Sequence, residues 1–163
     1  MIFVADCMLG RLARWLRVLG FDVLYFPRIE DAVLLGVARR EGRVLLTRDT
    51  GLLERTGGPP ALLVASGKWE DQIVQVLETF GLKDRVAPHT RCLDCNAPLK
   101  PLPKERARNL AAPFVVERAD GLALCPACGR IFWKGSHADD MDARIRKLMK
   151  RLEVCGKRSE DRG

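Results

Sequence analysis

The sequence predicts an α/β fold, in which an open and largely parallel sheet is flanked by helices and followed by a small metal-held domain. Over the first half of the chain, short apolar runs without polar residues alternate with helical patterns, and this is the order of βαβ units. In the second half, four of the six cysteines form two Cys-x-x-Cys pairs, a spacing typical of metal sites.

The predicted elements of the first half follow one another as strand, helix, strand. Strands are predicted at 2–5, 23–26, 44–47 and 62–65, and helices near 8–19, 31–41 and 70–80. In the first helix, helical spacing places leucine and tryptophan on one face, with Arg11, Arg14 and Arg17 on the opposite face. Gly20 and Gly42 are expected to end the first two helices.

Acidic residues follow three of the predicted strands. Asp6 comes directly after the first strand, Asp49 ends the LLTRD stretch after the third, and Asp31 with Glu30 lies just past the second. Because the carboxyl ends of parallel strands meet at one edge, we expect these side chains to lie close together. Converging carboxylates repel unless a cation neutralises them, and their oxygen atoms suit Mg²⁺ or Mn²⁺.

A magnesium or manganese site of this kind can activate water and stabilise the leaving oxygen of a phosphodiester, as in metal-assisted nucleases and phosphatases. The alternative is that Asp49 is a turn residue and that Asp31 caps the second helix. Asp22 precedes its strand, so it is expected at the opposite edge in a turn or capping role. Asp71 begins the last helix of this half, either as a fourth acid or as a cap.

Several other reaction classes lack their motifs. The sequence contains neither a dinucleotide-binding glycine motif nor a P-loop. Met8 occupies the position where a haloacid-dehalogenase phosphatase carries its second aspartate. The two histidines, His89 and His137, both lie in the second half, so no serine–histidine or cysteine–histidine dyad is indicated.

The two cysteine pairs have the spacing of a four-sulfur zinc site. Two residues between cysteines allow both thiolates to reach one ion at about 2.3 Å, and two such knuckles complete a tetrahedral set. The alternatives are two redox pairs or two disulfides. Cys7 and Cys155 lie outside the pattern. The predicted zinc ligands are Cys92, Cys95, Cys125 and Cys128.

Composition changes along the chain predict its domain organisation. We expect an α/β domain over 1–86, a zinc-held domain over 91–137, a basic helix over 138–155 and a disordered tail over 156–163. Residues 1–88 hold 12 basic and 11 acidic residues, whereas residues 89–163 hold 16 and 10. The excess charge predicts a polyanionic partner for the second half, nucleic acid before membrane.

Hydropathy indicates a cytoplasmic protein without a membrane partner. The apolar runs are far shorter than the roughly 18 residues of a membrane span. The first 20 residues contain three arginines and an acid, which is unlike a signal peptide.

Four stretches of the chain, taken together and in order, resemble the Mut-seven C-terminal RNase domain family. The resemblance covers about residues 1–150. It implies a PIN-like α/β domain fused to a four-cysteine zinc ribbon, with ribonuclease activity that depends on Mg²⁺ or Mn²⁺. It also implies RNA as the partner, such as tRNA, rRNA or ribosome-associated RNA. The four stretches are FVADCMLGRLARWLRVLGFD, LLTRD, RCLDC and CPACGRIFWKGSH.

The resemblance carries over to individual acidic positions. Asp6 and Asp49 match the family's motif acids, and Asp31 with Glu30 matches the acidic position ahead of the second helix. The fourth acid common in PIN nucleases has no clear counterpart, and Ser66 and Asp71 are the candidates.

Basic and aromatic residues are the expected RNA contacts. Beside the acids, Arg11, Arg14 and Arg48 are expected to contact phosphates, which position RNA without reading its sequence; the alternative is an ordinary solvated surface. In the second half, Phe132 is expected to cover the metal knuckle, and Trp133 beside Lys134 either does the same or stacks on unpaired bases.

We therefore expect a metal-dependent ribonuclease that hydrolyses RNA phosphodiester bonds, with a zinc ribbon that assists RNA binding. The alternative from another class is a non-catalytic RNA- or ribosome-binding adaptor that keeps the fold and the zinc. A toxin nuclease silenced by an antitoxin shares the fold but does not usually need a ribbon.

Overall fold

The computed structural model describes residues 1–55 and 59–160 of the chain, which divides into two compact units. The first unit is Met1–Pro88, and the second begins at His89. The side chains of Asp120, Ser136, His137 and residues 155–160 lie outside the described part, and this includes the second of the two histidines. Among the described residues, no helix combines the length and the apolar character needed to cross a membrane.

The first unit contains a parallel four-stranded sheet with the strand order β2-β1-β3-β4. This confirms the predicted α/β fold, with the sheet flanked by helices. The strands are β1 Ile2–Ala5, β2 Asp22–Tyr25, β3 Val44–Thr47 and β4 Ala61–Leu63. The helices are α1 Gly10–Val18, α2 Asp31–Glu41, α3 Thr50–Glu54 and α4 Trp69–Thr79.

The element bounds differ from the predicted ones mainly around turns. A 3-10 turn, Cys7–Leu9, precedes α1, so the helix begins two residues later than predicted. Helix α3 has only five residues, too few for a hydrophobic period to reveal it. Gly20 and Gly42 follow α1 and α2 with φ values of 93° and 62°, the left-handed conformation that glycine adopts at helix ends.

The core of the first unit covers both faces of the sheet. Leu45 and Leu46 of β3 are both fully buried, as expected for a parallel strand between two helical layers. Helix α1 buries Leu12 and Leu16. The prediction that Arg17 lies on the outer face is wrong, because its side chain is buried and its Nε donates to the carbonyl of Val23 at 2.9 Å.

The amino edge of this sheet is held by an ion-pair cluster around the buried Arg43. Its guanidinium donates to Asp22 Oδ1 at 2.6 Å, to Glu41 Oε2 at 2.7 Å and to the carbonyl of Phe3 at 3.1 Å. The hydrogen bond from Arg43 lowers the pKa of Glu41. Asp22 is therefore a structural partner at the end of the sheet opposite Asp6.

The second unit is built on a small antiparallel sheet with the order β5-β6-β7. Two short helices, α5 and α6, separate β5 from β6 and bury a small apolar cluster that includes Leu102, Val116 and Leu122. The elements are β5 Lys100–Pro101, α5 Lys104–Ala107, α6 Pro113–Arg118, β6 Asp120–Leu124, β7 Ile131–Lys134 and α7 Ser136–Glu160.

The last helix is longer than the sequence predicts. Helix α7 begins at Ser136 and ends at Glu160, so it continues past the end predicted at residue 155 and into the predicted tail. The rest of that tail, 161–163, lies outside the described residues. Ile145, Leu148 and Leu152 are buried at spacings of three and four, which explains why an otherwise charged segment is helical.

Candidate functional site

The carboxylate of Asp6 is buried at the carboxyl end of β1, where it organises the turn that follows. Its Oδ1 accepts a hydrogen bond from the backbone N–H of Met8 at 3.4 Å, and its backbone N–H donates to the carbonyl of Leu46 at 3.0 Å. Its Oδ2 accepts from the hydroxyl of Thr47 at 2.8 Å. The side chain is thereby fixed between two adjacent strands.

Thr47 connects Asp6 to Asp49 through a single hydroxyl. The Thr47 side chain is fully buried at the end of β3. Its Oγ1 donates to the Asp6 carboxylate and accepts from the backbone N–H of Asp49 at 3.0 Å. Sequence reasoning missed this residue, although a single hydroxyl at the end of the apolar strand VLLT was the available signal.

Asp49 lies at the same edge, exposed to solvent, and it also caps helix α3. Its Oδ1 accepts from the backbone N–H groups of Gly51 at 2.8 Å and Leu52 at 3.3 Å. The sequence left a turn role open as the alternative for Asp49, and the structure shows that its side chain caps a short helix. Both capping bonds go to one oxygen atom of the carboxylate.

Asp31 and Glu30 follow β2 and begin helix α2. The expectation that Asp31 caps this helix is wrong by one residue, because Glu30 occupies the N-cap position without a side-chain capping bond. Asp31 is the first helical residue, and its Oδ2 lies 3.1 Å from Arg55 Nη1 in an exposed ion pair. In the strand order, Asp31, Asp6 and Asp49 therefore follow three adjacent strands.

The three acids do not form a preassembled ligand set. Among the described residues, the four ribbon cysteines are the one group of three or more cysteine, histidine or acidic side chains whose ligand atoms all lie within 4.8 Å of one another. Asp6 and Asp49 are connected through Thr47, whereas Asp31 is paired with Arg55.

The two candidates for a fourth acidic position are bonded to each other. The hydroxyl of Ser66 donates to Asp71 Oδ2 at 3.0 Å and accepts from the backbone N–H of Lys68 at 3.0 Å. Gln72 Nε2 donates to the carbonyl of Ser66 at 2.8 Å. These bonds order the loop between β4 and α4.

A pocket of about 380 Å³ lies beside the turn that Asp6 caps, and three cationic residues and one acid, Glu70, line it. The guanidinium of Arg11 lies 5.2 Å from the ring centroid of Trp69, which in turn stacks on Trp15 with centroids 4.4 Å apart. This cation–π contact orients Arg11. Arg14 is exposed on the same helix but does not line the pocket. The three cations are Arg11, Arg48 and Lys68.

The four predicted zinc ligands of the second unit come together. Cys92 Sγ lies 3.6 Å from Cys128 Sγ, and Cys95 Sγ lies 3.3 Å from Cys125 Sγ. A tetrahedral site with zinc–sulfur bonds of about 2.3 Å places its sulfur atoms roughly 3.8 Å apart. The cluster can therefore hold a zinc ion with small adjustments of the side chains.

The two knuckles each contain the same kind of backbone turn. The N–H of Asn96 donates to the carbonyl of Cys92 at 3.1 Å, and the N–H of Gly129 donates to that of Cys125 at 3.0 Å. Asn96 and Gly129 both have positive φ values, 68° and 72°. The turn requires this conformation, which asparagine and glycine adopt most readily.

The thiols of the cluster shift one another's pKa values in opposite directions. Burial disfavours the Cys125 thiolate, but hydrogen bonds from the backbone of Cys128 and from Cys95 lower its pKa to about 7. The backbone N–H of Ala97 favours the Cys95 thiolate, yet desolvation and the thiol of Cys125 raise the pKa of Cys95 to about 12. Four thiolates in so small a volume need a cation.

Comparison with known proteins adds one finding. The model of the Mut7-C RNAse domain family matches residues 1–145, which include both cysteine pairs and all the acidic positions described above. Neither the curated proteins nor the solved structures gave a match.

Proposed function

The chain belongs to the Mut7-C RNAse domain family, and on this premise we propose that it is a ribonuclease that hydrolyses RNA phosphodiester bonds with Mg²⁺ or Mn²⁺. We assign catalysis to an α/β domain over 1–86 and RNA binding to the zinc ribbon over 91–137 with the basic helix that follows. The substrate is an RNA of the cytoplasm, such as tRNA, rRNA or ribosome-associated RNA.

The observation that carries the proposal is the linkage of two family acids through Thr47. Asp6 and Asp49 follow adjacent strands of one parallel sheet, and a buried hydroxyl bonds the carboxylate of one and the backbone of the other. Such a linkage fixes the spacing of the two positions, and a site that binds a transition state needs fixed spacing.

Each acidic side chain has a role in this proposal. Asp6, Asp31 and Asp49 supply oxygen ligands, and Glu30, the exposed residue before Asp31, is assigned to orient or deprotonate water. A cation held by these carboxylates would supply an activated water and stabilise the leaving oxygen. Asp31 would have to leave its ion pair with Arg55 to bind such a cation, at little cost because both side chains are exposed.

The cationic pocket provides the contacts to substrate phosphates. Arg11, Arg48 and Lys68 line it beside the turn that Asp6 caps, so a phosphodiester next to Asp6 extends its neighbouring phosphates toward these cations. Because Arg11 is oriented by Trp69, it loses little side-chain freedom on binding. The sequence predicts phosphate contacts for both Arg11 and Arg14, but only Arg11 lines the pocket.

We predict that Arg11→Gln and Arg48→Gln each weaken RNA binding and reduce the slope of log affinity against log salt concentration by about 0.7, the value for one lost phosphate contact on a single strand. The measurement is a titration of single-stranded RNA at several salt concentrations without Mg²⁺ or Mn²⁺. Arg14→Gln is the matched control, exposed on the same helix, and it should leave the slope unchanged. Equal effects of all three variants would contradict the assignment.

One observation favours the adaptor as a second candidate. Every candidate acid except Glu30 makes a structural contact of its own, and three of them do not form a preassembled ligand set within the described residues. A protein that binds RNA without cutting it needs no such set.

Cleavage of RNA by the purified full chain decides between the two functions. We expect single-stranded or structured RNA to be cut when Mg²⁺ or Mn²⁺ is added to the zinc-loaded chain, and to stay intact without them. Binding without cleavage in either metal favours the adaptor.

A further inference from the structure

The second unit contains a pocket of about 670 Å³ that the proposed catalytic site does not use. It lies over strand β7 and the beginning of helix α7, and its walls are mostly apolar. Its volume is in the range of pockets that hold small organic ligands or a single nucleotide. The lining residues that bear on its ligand are His89, Arg91, Phe132, Trp133, Lys134 and Asp142.

An exposed aromatic surface is the first feature of this pocket. Trp133 is 47% exposed, whereas the other two tryptophans, Trp15 and Trp69, are buried against each other. A Cβ atom at Gly135 would lie only 3.2 Å from the indole Nε1, so this glycine lets the ring lie close along the backbone. A flat ring held in this way and left open to solvent is a stacking surface.

Charged groups surround this aromatic surface. The guanidinium of Arg91 lines the pocket and is held by a 2.7 Å bond from Nη1 to the carbonyl of Asn96. His89 Nε2 lies 2.7 Å from Asp142 Oδ1, so this acid is engaged by the imidazole. The pocket thereby combines the exposed ring with a guanidinium, which complements a phosphate.

We propose that this pocket binds one unpaired nucleotide of RNA, with its base stacked on Trp133 and its phosphate facing Arg91. The inference rests on the proposed function for the nature of the ligand. An aromatic surface in one pocket with a guanidinium matches a nucleotide, which joins a flat base to a charged phosphate. A paired base is excluded because its faces are covered by its neighbours in the helix.

The nucleotide fits these features better than an acidic peptide does. A peptide carboxylate would engage Arg91 but would leave the exposed indole without a flat partner. Trp133 is therefore the residue that favours a nucleotide over an acidic peptide, and the experiment replaces it.

The test measures binding of fluorescein-labelled oligouridine, oligoadenine and a blunt RNA duplex to the full, zinc-loaded chain without Mg²⁺ or Mn²⁺, so that nothing is cut. We expect Trp133→Ala to raise the dissociation constant for both single strands about 5- to 100-fold, the loss of one stacked base. Duplex binding should not change. Trp133→Phe keeps an aromatic ring and should retain most of the affinity.

Phe114→Ala is the matched control, since Phe114 is the other strongly exposed aromatic residue among the described residues of this unit and does not line the pocket. It should leave every affinity unchanged. Unchanged single-strand affinity in Trp133→Ala overturns the proposal, as does an equal loss for the duplex, or an acidic peptide that binds through Trp133 while RNA does not.

Fluorescence and cleavage distinguish failure of the proposed pocket from loss of zinc and from failure of the proposed ribonuclease. If Trp133→Ala loses its zinc, the tryptophan fluorescence of the unaltered chain is compared with that of Trp133→Phe, in which only Trp15 and Trp69 emit. Bound oligouridine must quench the part of the signal that Trp133 contributes; equal quenching in the two chains overturns the proposal. Cleavage plays no part in these measurements. A chain that binds through Trp133 without cutting RNA in any metal contradicts the ribonuclease and leaves the pocket standing.

Discussion

Asp6→Asn is expected to lower the rate of RNA cleavage in Mg²⁺ or Mn²⁺ by about 10³-fold or more. The amide keeps the shape of the side chain, so the bonds with Met8 and Thr47 have replacements. It removes the negative charge that the proposed cation needs, and a loss of about 4 kcal/mol of transition-state stabilisation corresponds to this factor. The measurement is single-turnover cleavage of labelled RNA over a range of metal concentrations.

Asp84→Asn is the control for this substitution, because Asp84 is an exposed acid of the same unit in a 3-10 turn. It should cleave at the wild-type rate. Thermal unfolding of both variants shows whether a loss of cleavage comes from the missing charge or from an unfolded chain. An Asp6→Asn variant that is folded and cuts as fast as the wild type would falsify the assignment of Asp6.

Cys125→Ser is expected to remove the zinc and unfold the second unit. The Cys125 thiol is fully buried beside Cys95, and the apolar cluster of this unit is small. Structural zinc contributes roughly 10–16 kcal/mol of apparent binding free energy in small metal-held domains. A unit of this size has little else to replace that contribution.

Metal analysis and circular dichroism measure this result. The wild-type chain should carry about one zinc ion, and Cys125→Ser should carry much less, with a loss of ordered structure. Cys7→Ser provides the comparison, since Cys7 is exposed in the first unit and outside the cluster. Equal zinc content in the two variants would sink the four-cysteine assignment.

Local patterns in the sequence were sufficient to predict the framework of the fold. Apolar runs such as VLLT predicted the strands, because a strand covered on both faces has no alternation of apolar and polar residues. The cysteine spacing predicted the four-cysteine cluster, since a metal knuckle requires about two residues between its ligands. Gly42 ended α2 because its left-handed conformation is a local property of one residue.

Contacts between distant residues account for what the sequence did not reveal. Helical period put Arg17 outside, but β2 packs along that flank of α1 and offers the carbonyl of Val23. The pairing of Asp31 with Arg55 joins residues 24 positions apart. The importance of Thr47 was not predicted, because its hydroxyl at the end of VLLT gains its partner Asp6 only when β1 lies beside β3.

The spacing of the two knuckles has a consequence for the order of assembly during synthesis. Between Cys95 and Cys125 lie 29 residues, which a ribosome adds in roughly 2–6 s. The turn at Asn96 is local and can form at once. Cys92 and Cys95, however, lack the other two ligands, Cys125 and Cys128, until this interval has passed. By the time the ligand set is complete, the whole parallel sheet has already been synthesised. The nascent chain therefore passes through a stage in which all four strands of the first unit are present but the four-cysteine cluster cannot yet form.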